Sequence, residues 1–159
     1  MNPITHPFEP VVDDQCRILI LGSFPSIKSR EQGFFYGHPR NRFWQVISQV
    51  FNAPLPVSIE DKKQLLLAHH IALWDVIASC EIAGSSDASI RHAVPVDITQ
   101  VTAVASIRKI ICNGATAGKL YARHFGTGID TITLPSTSPA NAAWSAEQLV
   151  RVWKDHILT

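Results

Sequence analysis

The sequence predicts a three-layer α/β/α fold built on a central, mostly parallel sheet of four strands. Two patterns carry that prediction. Four short apolar or β-branched runs, at residues 16–21 (CRILIL), 71–76 (IALWDV), 109–113 (KIICN) and 129–134 (IDTITL), are separated by stretches of helical period. A run that is apolar without alternation reads as a strand buried on both faces, which is how a parallel sheet covered by helices looks in sequence. Strands that alternate with helices then give the α/β class. A chain of 159 residues suits one domain over residues 1–159, and 46% hydrophobic against 17% charged residues sets it apart from disordered proteins.

Each element has a local cause. Residues 1–14 read as an irregular lead-in closed by Asp13 and Asp14, and the first strand stops at Gly22. Residues 22–40 hold Pro25, Gly33, Gly37 and Pro39 and are predicted to form one long loop, of a length that usually carries function. Asn41 can offer its side-chain oxygen to the open amides of a first turn, so it is the predicted cap of a helix whose apolar face is Phe43, Trp44, Ile47, Val50 and Phe51. Pro54 and Pro56 end that helix. Ser58 followed by Asp61 is a capping-box pattern for a helix over 59–70. Residues 79–95 lack a clean period and are predicted as a polar excursion with a short helix near Asp87–His92. Thr99 is the predicted cap of a helix reaching Ser106. Ala117, Leu120, Tyr121 and His124 mark a further helical face, stopped by Gly126 and Gly128. The last helix is expected to begin at Asn141 or Ser145, with Leu149, Val152, Trp153 and Ile157 on one side.

Composition excludes more than it identifies. A net charge of +1 gives no argument for a nucleic-acid partner. Cys16, Cys80 and Cys112 form no CxxC pair, which suggests free thiols in a reducing cytoplasm. No His, Cys and acid set has metal-ligand spacing, so neither metal nor cofactor is expected. No apolar run approaches membrane-spanning length and no secretory leader is legible, so a cytoplasmic monomer away from membranes is the expectation. GxSxG, a P-loop lysine, HExxH and a dinucleotide glycine fingerprint are all lacking.

Parallel α/β sheets bind ligands beyond the carboxyl ends of their strands, and three motifs fall there. Gly22-Ser23-Phe24-Pro25-Ser26 is either an ordinary turn or a place where Ser23 and Ser26 meet a ligand or phosphate. In the stretch from Gly33 to Trp44 (GFFYGHPRNRFW), Phe43 and Trp44 share the face of Ile47 and belong to the core, which leaves Tyr36 as the ring for a flat ligand. Arg40 and Arg42 are solvated surface groups or phosphate contacts. Pro135-Ser136-Thr137-Ser138-Pro139-Ala140-Asn141 reads as a stiff loop whose outward amides would suit a phosphate, or as a Pro-rich turn with a serine cap. His69, His70 and His124 are expected to be packed or solvated, and the Asp87/His92 region is a site rim or a surface loop.

Taken in order, these motifs resemble the uracil-DNA glycosylase superfamily along nearly the whole chain. His38-Pro39-Arg40-Asn41-Arg42-Phe43-Trp44 is similar to the mismatch-specific uracil/thymine branch, and Gly22-Ser23-Phe24-Pro25-Ser26 to the hypoxanthine-DNA (deoxyinosine) branch. The chain departs from the uracil-specific enzymes at Phe24, where they carry Asp and the mismatch branch Asn. It departs again at Ser136, where a His acts on the leaving base, and at Ala140, where a large wedge stands. The resemblance implies a monofunctional glycosylase acting on double-stranded DNA, with Asn41 as the catalytic, water-positioning residue through its carbonyl oxygen. It implies base contacts from Ser23, Phe24, Tyr36, Asp75 and Asn113, including main-chain amides near Ser23 and Phe24 that meet a departing anionic base. Backbone contacts would come from Ser26, Arg40, Ser136, Thr137, Ser138 and Ala140. Asn41 as a simple cap and Asp75 as a turn cap remain open readings. The resemblance favours hypoxanthine (deoxyinosine) as the deaminated base released, and three other functions remain open: a mismatch-specific uracil/thymine-DNA glycosylase, a non-catalytic nucleic-acid-binding module and an unrelated small-molecule enzyme.

Overall fold

The computed structural model describes residues 3–158. In chain order the elements are β1 (Ile4–Thr5), β2 (Ile18–Gly22), α1 (Ile27–Gln32), α2 (Phe43–Val50), α3 (Ile59–Ala68), β3 (Ile71–Asp75), β4 (Ile77–Glu81), β5 (Arg91–Pro95), α4 (Thr99–Thr102), β6 (Lys109–Asn113), α5 (Ala115–His124), β7 (Asp130–Leu134) and α6 (Ala146–Ile157). The fold is the expected three-layer α/β/α arrangement. Its main sheet has the order β3-β2-β6-β7 with every neighbouring pair parallel. Every residue of β3 is buried, which is why its sequence shows no alternation. Strand β7 lies at an edge and is only partly covered, and its Thr131, Ile132 and Thr133 fit that half-wet position.

The crossovers β2→β3 and β6→β7 step outward in opposite directions, so right-handed connections place their helices on opposite faces. On one face α2 packs against α6. There Trp153 is fully buried, 6.2 Å from Phe43 between ring centroids, and its indole N–H donates to the Pro135 carbonyl at 3.0 Å. Helix α5 packs on β6 and β7. Burial pushes the thiols of Cys16 and Cys112 up to about 11, so at neutral pH both stay protonated and serve as small hydrophobes.

The structure departs from the sequence expectation in four places. The loop over 22–40 contains α1, capped by Ser26, whose hydroxyl accepts from the Ser29 amide. The polar excursion over 79–95 is an antiparallel hairpin of β4 and β5 around a 3₁₀ turn at Asp87–Ser89, and β1 pairs with the other edge of β4. This second sheet, β1-β4-β5, was hidden because β1 has two residues, β4 and β5 pair with register shifts, and β5 is largely exposed. Helix α4 is shorter than expected. Ile98, not Thr99, occupies its cap position, and Asp97 just before it accepts from the Thr99 amide at 3.1 Å. Arg42, not Asn41, occupies the cap position of α2, although Asn41 Oδ1 still accepts from the Phe43 amide at 2.9 Å. The Ser58–Asp61 capping box is formed, and Ser145, not Asn141, starts the last helix with a box to Gln148.

Candidate active site

The carboxyl ends of β2, β3, β6 and β7 open on one cavity of about 520 Å³. Of the candidate site residues named from the sequence, every one except Arg40 lies in its wall. Arg40 is exposed beside it, its backbone amide donating to His38 Nδ1. The chain crosses from β2 outward to β3 and back to β6, so the cavity sits where ligands bind in open α/β sheets.

Asp75 ends β3 and is 3% exposed. Its Oδ2 lies 2.8 Å from His6 Nε2, and both side chains are buried. Its Oδ1 lies against the bare Cα of Gly22, where an added Cβ would stand 2.4 Å away. The same Cβ would stand 2.8 Å from the Tyr36 hydroxyl. The absence of a side chain at Gly22 therefore lets a carboxylate and a phenol converge at the end of β2. Tyr36 adopts φ 55, a left-handed conformation that costs a non-glycine residue on the order of 1 kcal/mol or more. Its ring is stacked on Phe43 at 4.2 Å and 22°, so Phe43 covers one face. Burial, and then the nearby Asp75 carboxylate, push the Tyr36 phenol above its ordinary range and keep it neutral.

One hydrogen-bond chain ties the other candidates together. Asn113 donates from Nδ2 to the Tyr36 hydroxyl at 3.1 Å and to Thr137 Oγ1 at 3.0 Å, and accepts from the Thr137 amide. Thr137, fully buried, donates in turn from Oγ1 to Asn41 Oδ1 at 2.9 Å. Both amide protons of Asn113 are thus spent on protein, and it sits as a tie between loops. Asn41 is more informative. Its oxygen already accepts from Phe43 N and Thr137 Oγ1, so both lone pairs are taken. Its NH₂ has no partner among the described residues. What Asn41 has left to offer the cavity is a donor, where the sequence reading expected the carbonyl oxygen.

The late loop also corrects the sequence reading. Four of its amides turn inward to the protein rather than outward as a phosphate clamp, with Asn141 N donating to the Ser138 carbonyl. Ser138 N donates to Ser136 Oγ, Ala140 N to Ser138 Oγ and Thr137 N to Asn113. The Ser136 amide and the hydroxyl protons of Ser136 and Ser138 are the donors left over among the described residues. Ser26 likewise spends its hydroxyl oxygen on capping α1. Phe24 lines the cavity but is 8% exposed and packs with Ile77, Cys80 and Ile82.

Three residues were missed or undervalued from sequence. His6 lies in the irregular lead-in, where no local pattern marks it. Asp87 stands on the cavity rim and accepts from the Ser23 hydroxyl at 2.8 Å. Loss of solvent there pushes its carboxyl up, against the Ser23 bond. His92 is paired with Glu81 instead and takes no part. Arg42 is half-buried and turned inward. Its guanidinium donates to the carbonyls of Thr137, Ser138, Asn141 and Trp144 and so fixes the late loop to α2. Substituting Arg42 by Ala is expected to cost about 2–3 kcal/mol, because several half-buried carbonyls lose a charged donor at once. Denaturant unfolding measures this, and hydrogen exchange over residues 137–144 should rise. Lysine, with one point charge and no fork, should not restore the loop.

Comparison with known proteins agrees with this geometry. Residues 9–156 match the family model described as the uracil DNA glycosylase superfamily. The chain is 35% identical over 144 residues to a Methanosarcina acetivorans protein named hypoxanthine DNA glycosylase, covering 89% of this chain and 91% of that one. A Methanosarcina barkeri protein of the same name is 30% identical over 139 residues, covering 84% and 86%. The solution NMR structure of a Methanosarcina acetivorans protein, named as a candidate uracil DNA glycosylase, superposes with a TM-score of 0.82 at 31% identity, covering 96% of this chain and 97% of that one.

Proposed function

The chain belongs to the uracil DNA glycosylase superfamily, and we propose that within it the protein is a monofunctional glycosylase for a deaminated base in double-stranded DNA. It hydrolyses the N-glycosidic bond, takes hypoxanthine before uracil, and leaves an abasic site. The observation that carries this reading is the strand-end cavity, which gathers the Asp75 carboxylate, the Tyr36 ring and the Asn41 amide around about 520 Å³. That space is in the usual range for pockets that enclose a small molecule. The preference for hypoxanthine is supported by the names of the two Methanosarcina relatives.

The target nucleotide leaves the stack, because its glycosidic bond is out of reach inside the duplex. Tyr36, backed by Phe43, offers a ring face on which a base gains about 1–3 kcal/mol. Asp75 accepts from a ring N–H of the base. The bond from the sugar C1′ to the base nitrogen breaks, and its electron pair leaves on the base. The amides of Ser23 and Phe24, which donate to no described residue, meet that charge. A water oxygen bonds to C1′ and its proton passes to solvent. The sugar is oxocarbenium-like, as in other glycoside cleavage, so the water needs placing more than deprotonating. The Asn41 amide does the placing. Ser26, Arg40, Ser136, Ser138 and Ala140 line the approach for the DNA backbone, with Thr137 bracing that loop from behind. Lys28 is exposed, 3.6 Å from Glu31 and outside the cavity wall, so no amine is set for covalent catalysis there.

Base release from duplexes carrying inosine, uracil, mispaired thymine or only normal bases tests the reading. Inosine should be processed at least about tenfold faster than uracil, with strand breakage only after alkali. Faster release of uracil or thymine would move the protein to the mismatch-specific branch. Tight binding with no release would make it a non-catalytic module, a reading supported by Phe24 and Ser136, which stand where the uracil-specific enzymes that the motifs resemble carry polar groups.

A further inference from the structure

His6 is not in the wall of the active-site cavity. It approaches Asp75 from behind, and its own exposed edge belongs to a smaller hollow on the other side, next to Trp74. The imidazole is 5% exposed and packs edge-on against Phe8 at 4.6 Å and Phe24 at 5.9 Å, with Phe35 tilted beside it at 5.9 Å. In this apolar nest its ring nitrogens have two partners. The Phe8 amide points at Nδ1 at 3.4 Å, which makes Nδ1 the acceptor. Nε2 is then the donor, and it donates to Asp75 Oδ2 at 2.8 Å. The backbone holds this arrangement in place, since the His6 amide donates to the Ala78 carbonyl at 2.7 Å and β1 pairs with β4 immediately before it.

The consequence falls on Asp75. With Oδ2 held by His6, Oδ1 is the oxygen left on the side of Gly22 and Tyr36. A carboxylate fixed in this way accepts and does not donate. Deamination changes the ring nitrogen of the Watson–Crick edge from an acceptor, N1 of adenine or N3 of cytosine, into an N–H donor, N1–H of hypoxanthine or N3–H of uracil. An acceptor-only oxygen therefore tells a deaminated base from its parent.

We propose that His6 is a positioning residue for base selection, which orients Asp75 so that its free carboxylate oxygen reads the N–H created by deamination. This rests on the glycosylase reading above. Without the His6 donor the buried carboxylate is free to turn, and Oδ1 is no longer held on the side of Gly22 and Tyr36, where it reads that N–H.

The test compares base release from duplexes containing inosine with release from duplexes containing unsubstituted purine or adenine, whose N1 is an acceptor. His6→Leu should lower the inosine-to-purine rate ratio by at least about tenfold. His6→Gln, whose terminal amide reaches the place of Nε2, should return the ratio to within about threefold of the parent, whereas the shorter His6→Asn should not. A role in packing alone would slow all bases together and leave the ratio unchanged, and that result overturns the proposal. If His6→Leu does not fold, the Gln and Asn variants still give the comparison. A second readout needs no catalysis: nitrogen chemical shifts of His6 should show a proton on Nε2, and protonation at Nδ1 alone would overturn the proposal. A parent protein that releases no base from any duplex overturns the glycosylase reading and this inference with it. A selective parent with an unchanged His6→Leu ratio overturns the inference alone.

Discussion

Replacing Asn41 by Ala is expected to slow single-turnover base release by about a hundredfold or more while leaving duplex binding within a few-fold. The side chain projects at the junction of α2 and the late loop, and its oxygen is held by the Phe43 amide and the Thr137 hydroxyl. Those two bonds orient the amide so that its NH₂ is the end without a protein partner. Asn41→Asp separates the two ways this residue can act. The carboxylate keeps an oxygen for both donors and is favoured next to a helix start, so the fold should survive. It loses the NH₂. If the donor places the water, Asn41→Asp should be about as slow as Asn41→Ala. Recovery well above the alanine variant would return the role to an acceptor oxygen. Full activity in Asn41→Ala would remove the residue from the mechanism.

Gly22→Ala is expected to be almost as damaging, for a steric reason. An added Cβ would stand 2.4 Å from Asp75 Oδ1 and 2.8 Å from the Tyr36 hydroxyl, both closer than real Cβ contacts come. Neither atom is a loose end. Asp75 is held through its other oxygen by His6, and the Tyr36 hydroxyl by Asn113. Relief therefore has to come from shifting the strand end or the two side chains that define the base pocket. A loss of about 1–3 kcal/mol in stability is expected, as for other overpacked sites. Base release should fall by about tenfold or more, since reacting groups displaced by a fraction of an ångström lose their alignment. Adding Tyr36→Phe removes one of the two clashes and should recover part of the stability lost. Denaturant unfolding of the single and double variants measures the coupling. An alanine variant as stable and active as the parent would mean that Asp75 and Tyr36 are not held as closely as described.

The order of motifs along the chain placed most of the cavity wall, apart from Ser29 and the stretch 85–88. Strand ends are legible because a buried parallel strand is a short local signal, and in such a sheet all strand ends share one side. The motif from Gly33 to Trp44 was legible for a similar reason: Phe43 and Trp44 keep helical step with Ile47, which singled out Tyr36 as the aromatic residue off that face. The use made of each polar group was not legible. Asn41 reads as a cap by its position and residue type, and it does accept from Phe43 N. That its second lone pair is taken by Thr137, 96 residues away, follows only from β7 lying beside β6.

By itself, then, the sequence determined what depends on near neighbours: the parallel strands, the Ser58 capping box, and the gathering of serines, aromatics and amides at one edge of the sheet. Tertiary structure decided the second sheet, the His6–Asp75 pair and the Arg42 clasp on the late loop. The physical reason is the range of the interactions. Burial period and capping are settled within a few residues and leave a pattern there. A hydrogen bond between groups separated by 69 residues, as in His6–Asp75, or by 95 to 102, as for Arg42, is settled by strand order and register. It leaves no mark in the sequence around either partner.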